Sequence, residues 1–185
     1  MESGKERIVS ATIKLLQKHG PVATTTDRVA VAAGCAKGLV HYHFRTKSAL
    51  WSEIVQTLGK RRHERWAKAF SGAKWAVTDT WKIVLADRRE GIVRLIASIG
   101  GEDRDTDDAI SSVTQQFSRT MTEAVRRFLD RMEMDPGVPI EQLGWSLSSV
   151  LHGTIIQLDA KPGRSPRVLS SATPKPIQRR RNPRR

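Results

Sequence analysis

Apolar residues recur at helical spacing along most of this chain, and that pattern limits what it can fold into. The clearest segment covers residues 110–132, where one face would carry Ile110, Val113, Phe117, Met121, Ala124, Val125, Phe128, Leu129 and Met132. The same spacing predicts helices over residues 6–19, 47–70, 73–86, 88–99 and 142–158. No segment shows the period-two alternation or the hairpin turns of β-strands. We therefore expect an all-α fold.

Short helices separated by tight turns are predicted near the N-terminal end. Gly20-Pro21 ends the first helix, because glycine suits a helix C-cap and proline cannot continue a helix. Thr24, Thr25 and Thr26 offer a capping hydroxyl for a second helix through about residue 33. After the Gly34-Cys35 turn, a third helix covers about residues 36–44. Two short helices joined by a glycine-containing turn are typical of a helix-turn-helix, which predicts DNA binding.

Positive charge is concentrated at the two ends of the chain. The 185 residues include 32 Lys and Arg against 19 Asp and Glu, a formal net charge of +13. Residues 1–50 contribute +5, residues 51–160 contribute −1 and residues 161–185 contribute +9. This distribution indicates contact with a polyanion at the ends. Because residues 161–185 contain five prolines and neither aromatic nor acidic residues, we expect them to form a disordered Pro/Arg-rich tail.

Several functional classes lack the residues that they require. The single cysteine, Cys35, rules out a disulfide framework and a thiolate metal cluster. His41 and His43 would lie about 200° apart on a helix, so no metal site is expected. We find no nucleophile elbow, phosphate-binding glycine loop or zinc motif, and we therefore expect no catalytic residues, no cofactor and no enzyme activity. Neither a signal peptide nor an apolar run of membrane-spanning length is present, which favours a soluble, cytoplasmic protein without membrane contact.

The predicted third helix carries side chains suited to DNA. Lys37, His41, Tyr42 and His43 are able to reach phosphates or base edges. The predicted helix starts at Thr26, Ala36 and Lys47 would present free N–H groups, which favour phosphate binding.

The run from Ala23 to Leu50 resembles the TetR family of transcriptional regulators. The most specific part is Tyr42-His43-Phe44, followed by Lys47 and then Leu50. The close resemblance covers residues 5–60, and the helical remainder fits the family only in outline. It implies a DNA-binding domain over residues 1–50 with the fourth helix, 47–70, as connector. An effector-binding and dimerisation domain would follow over residues 51–160, and then the tail, 161–185.

The resemblance also implies how such a protein works. A homodimer would place its third helices in successive major grooves of a near-palindromic operator on double-stranded DNA, associated with the bacterial nucleoid while bound. A small-molecule effector would release this repressor. By position, the residues nearest base edges would be Lys37, Gly38 and Leu39. Those near the backbone would be Thr25, Thr26, His41, Tyr42, His43 and Lys47.

Two departures from the family pattern leave alternatives open. His41 stands where the family usually has an aromatic residue, often tyrosine. The tail occupies the place of the last helix of the family's dimer interface. The uncharged segment 142–158 still predicts a subunit interface, with a face formed by Trp145, Ser149, His152 and Ile156. The alternatives are a regulator impaired in dimerisation and a non-specific nucleic-acid-binding protein driven by the tail.

Two further features have more than one interpretation. Trp66, Trp75 and Trp81 fall where similar proteins line their effector pocket, so they could form an aromatic box for a flat or cationic lipophile, or ordinary core packing. The acidic run over residues 102–108 is expected to be a solvated loop that leads into a helix N-terminus.

Overall fold

The computed structural model describes residues 3–71, 77–101 and 103–160, and every regular element in these ranges is a helix. In chain order they are α1 (Gly4–His19), α2 (Thr26–Ala33), α3 (Lys37–His43), α4 (Lys47–Ser71), α5 (Val77–Glu90), α6 (Ile92–Ile99), α7 (Arg104–Met132) and α8 (Ile140–Ala160). The all-α prediction is confirmed. The tail, 161–185, and Trp75 lie outside the described residues. None of the helices in these ranges has the length and hydropathy needed to cross a bilayer.

The boundaries of the first helices follow from local capping. Ser3 and Glu6 form a reciprocal capping box at the start of α1. Gly20 ends that helix with a φ of 75°, and its N–H donates to the carbonyl of Leu16. The Thr25 hydroxyl caps α2 by accepting from the N–H of Arg28. Gly34 takes the left-handed conformation, with a φ of 61°, and turns the chain toward α3.

The first hydrophobic cluster holds the helix-turn-helix against the rest of the chain. Its buried side chains from α1 to α4 include Ile8, Val29, Val40, Trp51 and Ile54. Three residues of α6 belong to the same cluster: Ile92, Leu95 and Ile99. The core beneath the DNA-binding helices therefore extends past residue 50 into α4 and α6.

A second cluster fills the space between the long helices. It is built from Trp66, Phe70, Val84, Val93, Phe117, Met121, Leu151, Ile155 and Leu158. The helix α6 contributes to both clusters, since Val93 lies here and its neighbour Ile92 lies in the first. A small shift of α6 would therefore disturb the packing of both halves.

The acidic run is not the loop that the sequence predicted. Asp103 is the N-cap of α7, and its carboxylate accepts from the N–H and the hydroxyl of Thr106. Residues 104–108 already belong to the helix. The prediction was wrong because carboxylates in a first helical turn are stabilised by the helix dipole and by free N–H groups, and so they extend α7 instead of preceding it.

The helices α7 and α8 lie close together at Gly144. A Cβ atom built on Gly144 would lie 2.5 Å from the Cα and 2.7 Å from the backbone N of Thr122. Backbone atoms cannot rotate away as a side chain can. Residue 144 must therefore be glycine for these helices to pack as they do.

Replacing Gly144 with alanine should destabilise the fold by about 1–3 kcal/mol, because the added methyl group would force α7 and α8 apart. Urea denaturation followed by tryptophan fluorescence measures this change. Gly153→Ala on the same helix is the matched control, since a Cβ there meets nothing within 4 Å. It should be neutral or stabilise by up to about 1 kcal/mol through helix propensity. Equal effects of the two substitutions would contradict the close approach at Gly144.

Candidate DNA-binding surface and internal cavity

The helix α3 presents a polar, solvent-exposed face. Lys37, Gly38 and His41 are exposed, and Tyr42 keeps 79% of its surface accessible. The Tyr42 ring lies edge-on to the ring of His43, with 5.2 Å between the two centroids. Lys37 forms an ion pair with Asp27 of α2, with 2.8 Å between Nζ and Oδ1.

A groove beside α3 brings together several of the predicted DNA-contacting residues. This cavity of about 280 Å³ is lined by Thr25, Thr26, His41 and Lys47, among others. It lies where α2 and α4 begin, so the free N–H groups of two helix starts are close to it. The hydroxyl of Thr46 caps α4 by accepting from the N–H of Ala49 at 3.0 Å. The groove thus combines helix N-termini and a cation, which is the chemistry that binds phosphate.

Leu39 and His43 lie on the opposite side of α3, toward α1. Both are half-buried, and Leu39 packs against the first hydrophobic cluster. A Cβ atom built on Gly4 would lie 3.5 Å from Nε2 of His43 and 3.6 Å from Cδ2 of Leu39. The two residues are four apart and therefore share one helix face. Their assignment to DNA contact stays a prediction, and only part of each side chain is accessible.

A second cavity lies between α4, α6, α7 and α8, with a volume of about 310 Å³. Most of its wall is apolar, and the apolar side chains include Val93, Ile96, Val113, Phe117 and Ile156. The charged or polar lining comes from Arg62, Asp107, Thr114 and His152. An apolar hollow with a few polar groups is the usual form of a small-molecule site.

Arg62 is a buried charge at the wall of this cavity, which is the candidate for the effector site that the sequence predicts and is therefore called the effector cavity. Its Nε donates to Oδ2 of Asp87 at 2.9 Å, and its guanidinium carbon lies 3.6 Å from the centre of the Phe117 ring. Asp87 is completely buried and also accepts from Nη1 of Arg65 and from Nε1 of Trp66. Burial lowers the pKa of the Arg62 guanidinium from its ordinary value, and the nearby Asp87 carboxylate opposes this shift.

His152 completes the network from α8. Its Nε2 lies 2.6 Å from Nη1 of Arg62, and its Nδ1 lies 3.0 Å from the carbonyl oxygen of Ser148. Since an arginine only donates, Nε2 accepts and Nδ1 carries the proton. Burial, together with the positive charge of Arg62, lowers the pKa of His152 from 6.5 to about 4. The imidazole is therefore neutral near pH 7.

The tryptophans predicted for an effector pocket are placed differently from this cavity. Trp66 is fully buried in the second cluster, with its indole N–H on Asp87, and Trp81 packs half-buried against the same cluster. Neither lines the effector cavity, and Trp75 lies outside the described residues. The structure favours core packing for Trp66 and Trp81, and the tryptophan box stays a prediction.

The predicted interface residues of α8 also divide into two groups. Trp145 and Ile156 are 66% and 54% exposed, and Ser149 is exposed between them. His152 instead turns partly inward, because Arg62 and the Ser148 carbonyl supply its hydrogen bonds.

The sequence did not identify three of the residues that line these two cavities. Arg45 and Thr46 line the groove, and Arg62 lines the effector cavity. The sequence does contain a signal for Arg62. This residue lies four residues from Leu58 and four from Trp66, so it places a charge on an otherwise apolar helix face. Within the described ranges, no group of three or more His, Cys, Asp or Glu side chains could hold a metal ion.

Two short helices with an exposed polar face, set on an all-α body, define a helix-turn-helix DNA-binding protein. Residues 8–54 match the model of the tetR family of bacterial regulatory proteins. Over 64 residues the chain is 34% identical to the HTH-type transcriptional regulator QacR of Staphylococcus aureus. That match covers 35% of this chain and 34% of QacR, so the chain spans about a third of that relative. The chain therefore carries the DNA-binding domain of the TetR family.

Solved structures extend the likeness of fold to the whole described body. A protein described as a transcriptional regulator from Rhodococcus sp. RHA1 superposes with a TM-score of 0.70 at 22% identity, over 85% of each chain. The regulator FadR of Bacillus subtilis, solved in complex with stearoyl-CoA, gives 0.67 at 12% identity, over 83% of this chain and 86% of that one. The two-part helical fold is thus shared with both of these structures.

The lowered pKa of His152 makes the stability of the fold depend on pH. As the pH falls below 6.5, His152 binds a proton in the unfolded chain, whereas in the folded chain it does so only near pH 4. The stability that neutral His152 confers is complete above pH 6.5 and is lost progressively toward pH 4. Between pH 7 and pH 5 this residue should account for a loss of about 2 kcal/mol.

Urea denaturation of the wild type and of His152→Gln at pH 7, 6 and 5 measures this contribution. Glutamine keeps an acceptor for Arg62 but does not titrate, so the stability of this variant should fall less steeply. Parallel curves for the two proteins would show that His152 is not buried as a neutral base.

Proposed function

We propose that this protein is a dimeric repressor that binds a near-palindromic operator through α3 and releases it when a small organic molecule enters the effector cavity. The observation that carries the DNA part is the exposed polar face of α3 next to the groove at the starts of α2 and α4. Its matched TetR-family domain supports the class of regulator, and its place of action would be the cytoplasm.

The proposed contacts to DNA follow from accessibility. Lys37 and Gly38 would read base edges, together with the exposed part of Leu39, since they lie in the first turn of α3. Thr25, Thr26, His41 and Lys47 would hold a backbone phosphate in the groove that they share. Tyr42 and His43 would contact the neighbouring backbone.

The proposed dimer forms through the outer face of α8. This helix buries Gly144, Ser148, Leu151 and Ile155 against its own chain and leaves other faces open. Trp145, Val150 and Ile156 remain 54–66% exposed, with no Lys or Arg between residues 141 and 160. Apolar side chains of this size on a segment without charged residues, 142–158, are typical of a subunit interface.

The proposed release follows from the shared packing of α6. Val93, Ile96 and Ala97 line the effector cavity, while Ile92, Leu95 and Ile99 pack in the cluster beneath the DNA-binding helices. A second link joins α4 to α7, where the Ser48 hydroxyl donates to Asp103 at 2.6 Å. A molecule that separates α6 from α7 would therefore move α4 and change the distance between the two recognition helices. The stearoyl-CoA complex of B. subtilis FadR supports an organic ligand for a fold of this kind.

Selection of bound sequences from random DNA at near-physiological salt tests the proposal. The full chain is compared with a variant whose five C-terminal arginines, Arg179, Arg180, Arg181, Arg184 and Arg185, are replaced by serine. Enrichment of one inverted repeat by both proteins is expected. Binding without an enriched motif, lost in the serine variant, would instead identify a non-specific nucleic-acid-binding protein driven by the basic tail.

Lys47→Ala should weaken binding to the selected operator without changing sequence preference, because a phosphate contact carries no base information. The slope of log K against log salt should fall by about 1 per subunit. Fluorescence anisotropy at several salt concentrations measures both quantities. Lys60→Ala is the matched control, since this exposed lysine lies on the same helix about 20 Å away. An unchanged salt slope for Lys47→Ala would show that the groove does not contact DNA.

Trp145→Glu should shift the protein from dimer to monomer at micromolar concentration, because it places a charge in the proposed interface. Analytical ultracentrifugation measures the association state. Gln56→Glu adds the same charge to an exposed position of α4, outside the proposed interface, and should leave the dimer intact. If the wild-type protein is still monomeric at a concentration 50 times that of this measurement, the result would favour the alternative of a regulator impaired in dimerisation.

A further inference from the structure

Arg62 offers the effector cavity a buried donor that nothing in the described chain uses. Its side chain is only 5% exposed, and Nη2 has no hydrogen-bond partner within residues 3–71, 77–101 and 103–160. Its other nitrogens are engaged, Nε by Asp87 and Nη1 by His152. A buried charged donor without a partner destabilises a fold, so its presence on a residue that lines this cavity indicates a role outside folding.

The carboxylate that faces Arg62 is shared with other donors. Asp87 also accepts from Arg65 and from the indole N–H of Trp66, and Arg65 has a second carboxylate in Glu90. His152, the second partner of Arg62, is a neutral acceptor in this arrangement. A further acceptor near Nη2 would therefore complete the hydrogen bonding of the guanidinium, and an anionic acceptor makes the strongest such bond.

The rest of the cavity indicates the body that such an anion would carry. Val93, Ile96 and Val113 form apolar walls, and Phe117 stacks on the guanidinium. Among the described lining residues, Arg62 is the only Lys or Arg, whereas Asp107 adds a carboxylate. One guanidinium beside one carboxylate disfavours a dianionic phosphate, so the group that meets Nη2 carries at most one negative charge.

We propose that the effector cavity binds a small amphipathic monoanion, a carboxylate on an apolar body, with the carboxylate on Nη2 of Arg62 and the body between α6 and α7. The proposal rests on the function proposed above, for which it names the class of effector. The volume of about 310 Å³ is near the lower limit for ligand sites, which suits a body of about eight carbon atoms.

Isothermal titration calorimetry of the full-length protein at pH 7.5 with three probes tests the head group. Octanoate, octan-1-ol and octylammonium share one apolar body and differ in charge. Octanoate should bind at least tenfold more tightly than octan-1-ol, and octylammonium should bind most weakly. Equal affinity for octanoate and the alcohol, tighter binding of octylammonium, or no saturable binding of octanoate at millimolar concentration would overturn the proposal.

Variants of α4 assign the selectivity to one side chain. Arg62→Met keeps a similar length and loses the charge, so the octanoate-to-octanol preference should fall to about one while octan-1-ol still binds. Arg61→Met removes a charge from the exposed neighbouring position and should keep the wild-type preference. If circular dichroism shows that Arg62→Met is unfolded, Arg62→Lys is used, and its preference should fall at least fivefold because lysine lacks the second nitrogen. An unchanged preference in the folded variant would overturn the assignment.

The DNA-binding function is measured separately on the same protein preparation without any probe. Enrichment of an inverted repeat together with no preference for octanoate would overturn only the class of effector. Octanoate binding through Arg62 without sequence-specific DNA binding would support the ligand class and overturn the proposed repressor.

Discussion

The buried carboxylate of Asp87 is the interaction on which the C-terminal half of this fold depends. Transferring a charge from water into a protein interior costs several kcal/mol unless it is paired and hydrogen-bonded. Asp87 has three donors, Arg62, Arg65 and Trp66, and all three come from α4. These bonds fix the position of α5 along the axis of α4 and place Arg62 at the wall of the effector cavity. Loss of Asp87 would leave Arg62 buried without a carboxylate, whereas Arg65 would keep its pair with Glu90.

The two halves of the chain share helices instead of meeting at a boundary. The first cluster takes Trp51 and Ile54 from α4 and Ile92 from α6, so the DNA-binding helices are supported by elements that also border the effector cavity. Gln17 at the end of α1 donates to the carbonyl of Glu90, which adds a polar link just before α6. Communication between the two sites requires only a displacement of packed helices, because close-packed interiors transmit strain.

Local chemistry explains which features could be predicted from the sequence. The all-α fold and the ends of α1 and α2 follow from periodicity and capping, as at Gly20 and Thr25. The start of α7 was missed because the acidic residues were assigned to solvent, whereas Asp103 is a cap. The role of Arg62 depends on Asp87 and His152, which are 25 and 90 residues away, and such pairings have no local signal. For the same reason the sequence left two interpretations open for Trp66, an aromatic box and core packing, and the structure favours core packing.

The ion pair between Lys37 and Asp27 has a consequence for how DNA is scanned. In the proposed complex Lys37 would leave Asp27 to meet a base, so a carboxylate would remain beside a polyanion and its repulsion would have to be offset by the new contact. A guanine provides strong acceptors for the Lys37 ammonium, whereas a base without such acceptors at this position does not. Exposed pairs of this kind are worth up to about 1 kcal/mol, so the exchange shortens the residence time on wrong sites by at most about fivefold. The same carboxylate thus lowers the affinity for random sequence and lets the protein search a chromosome faster.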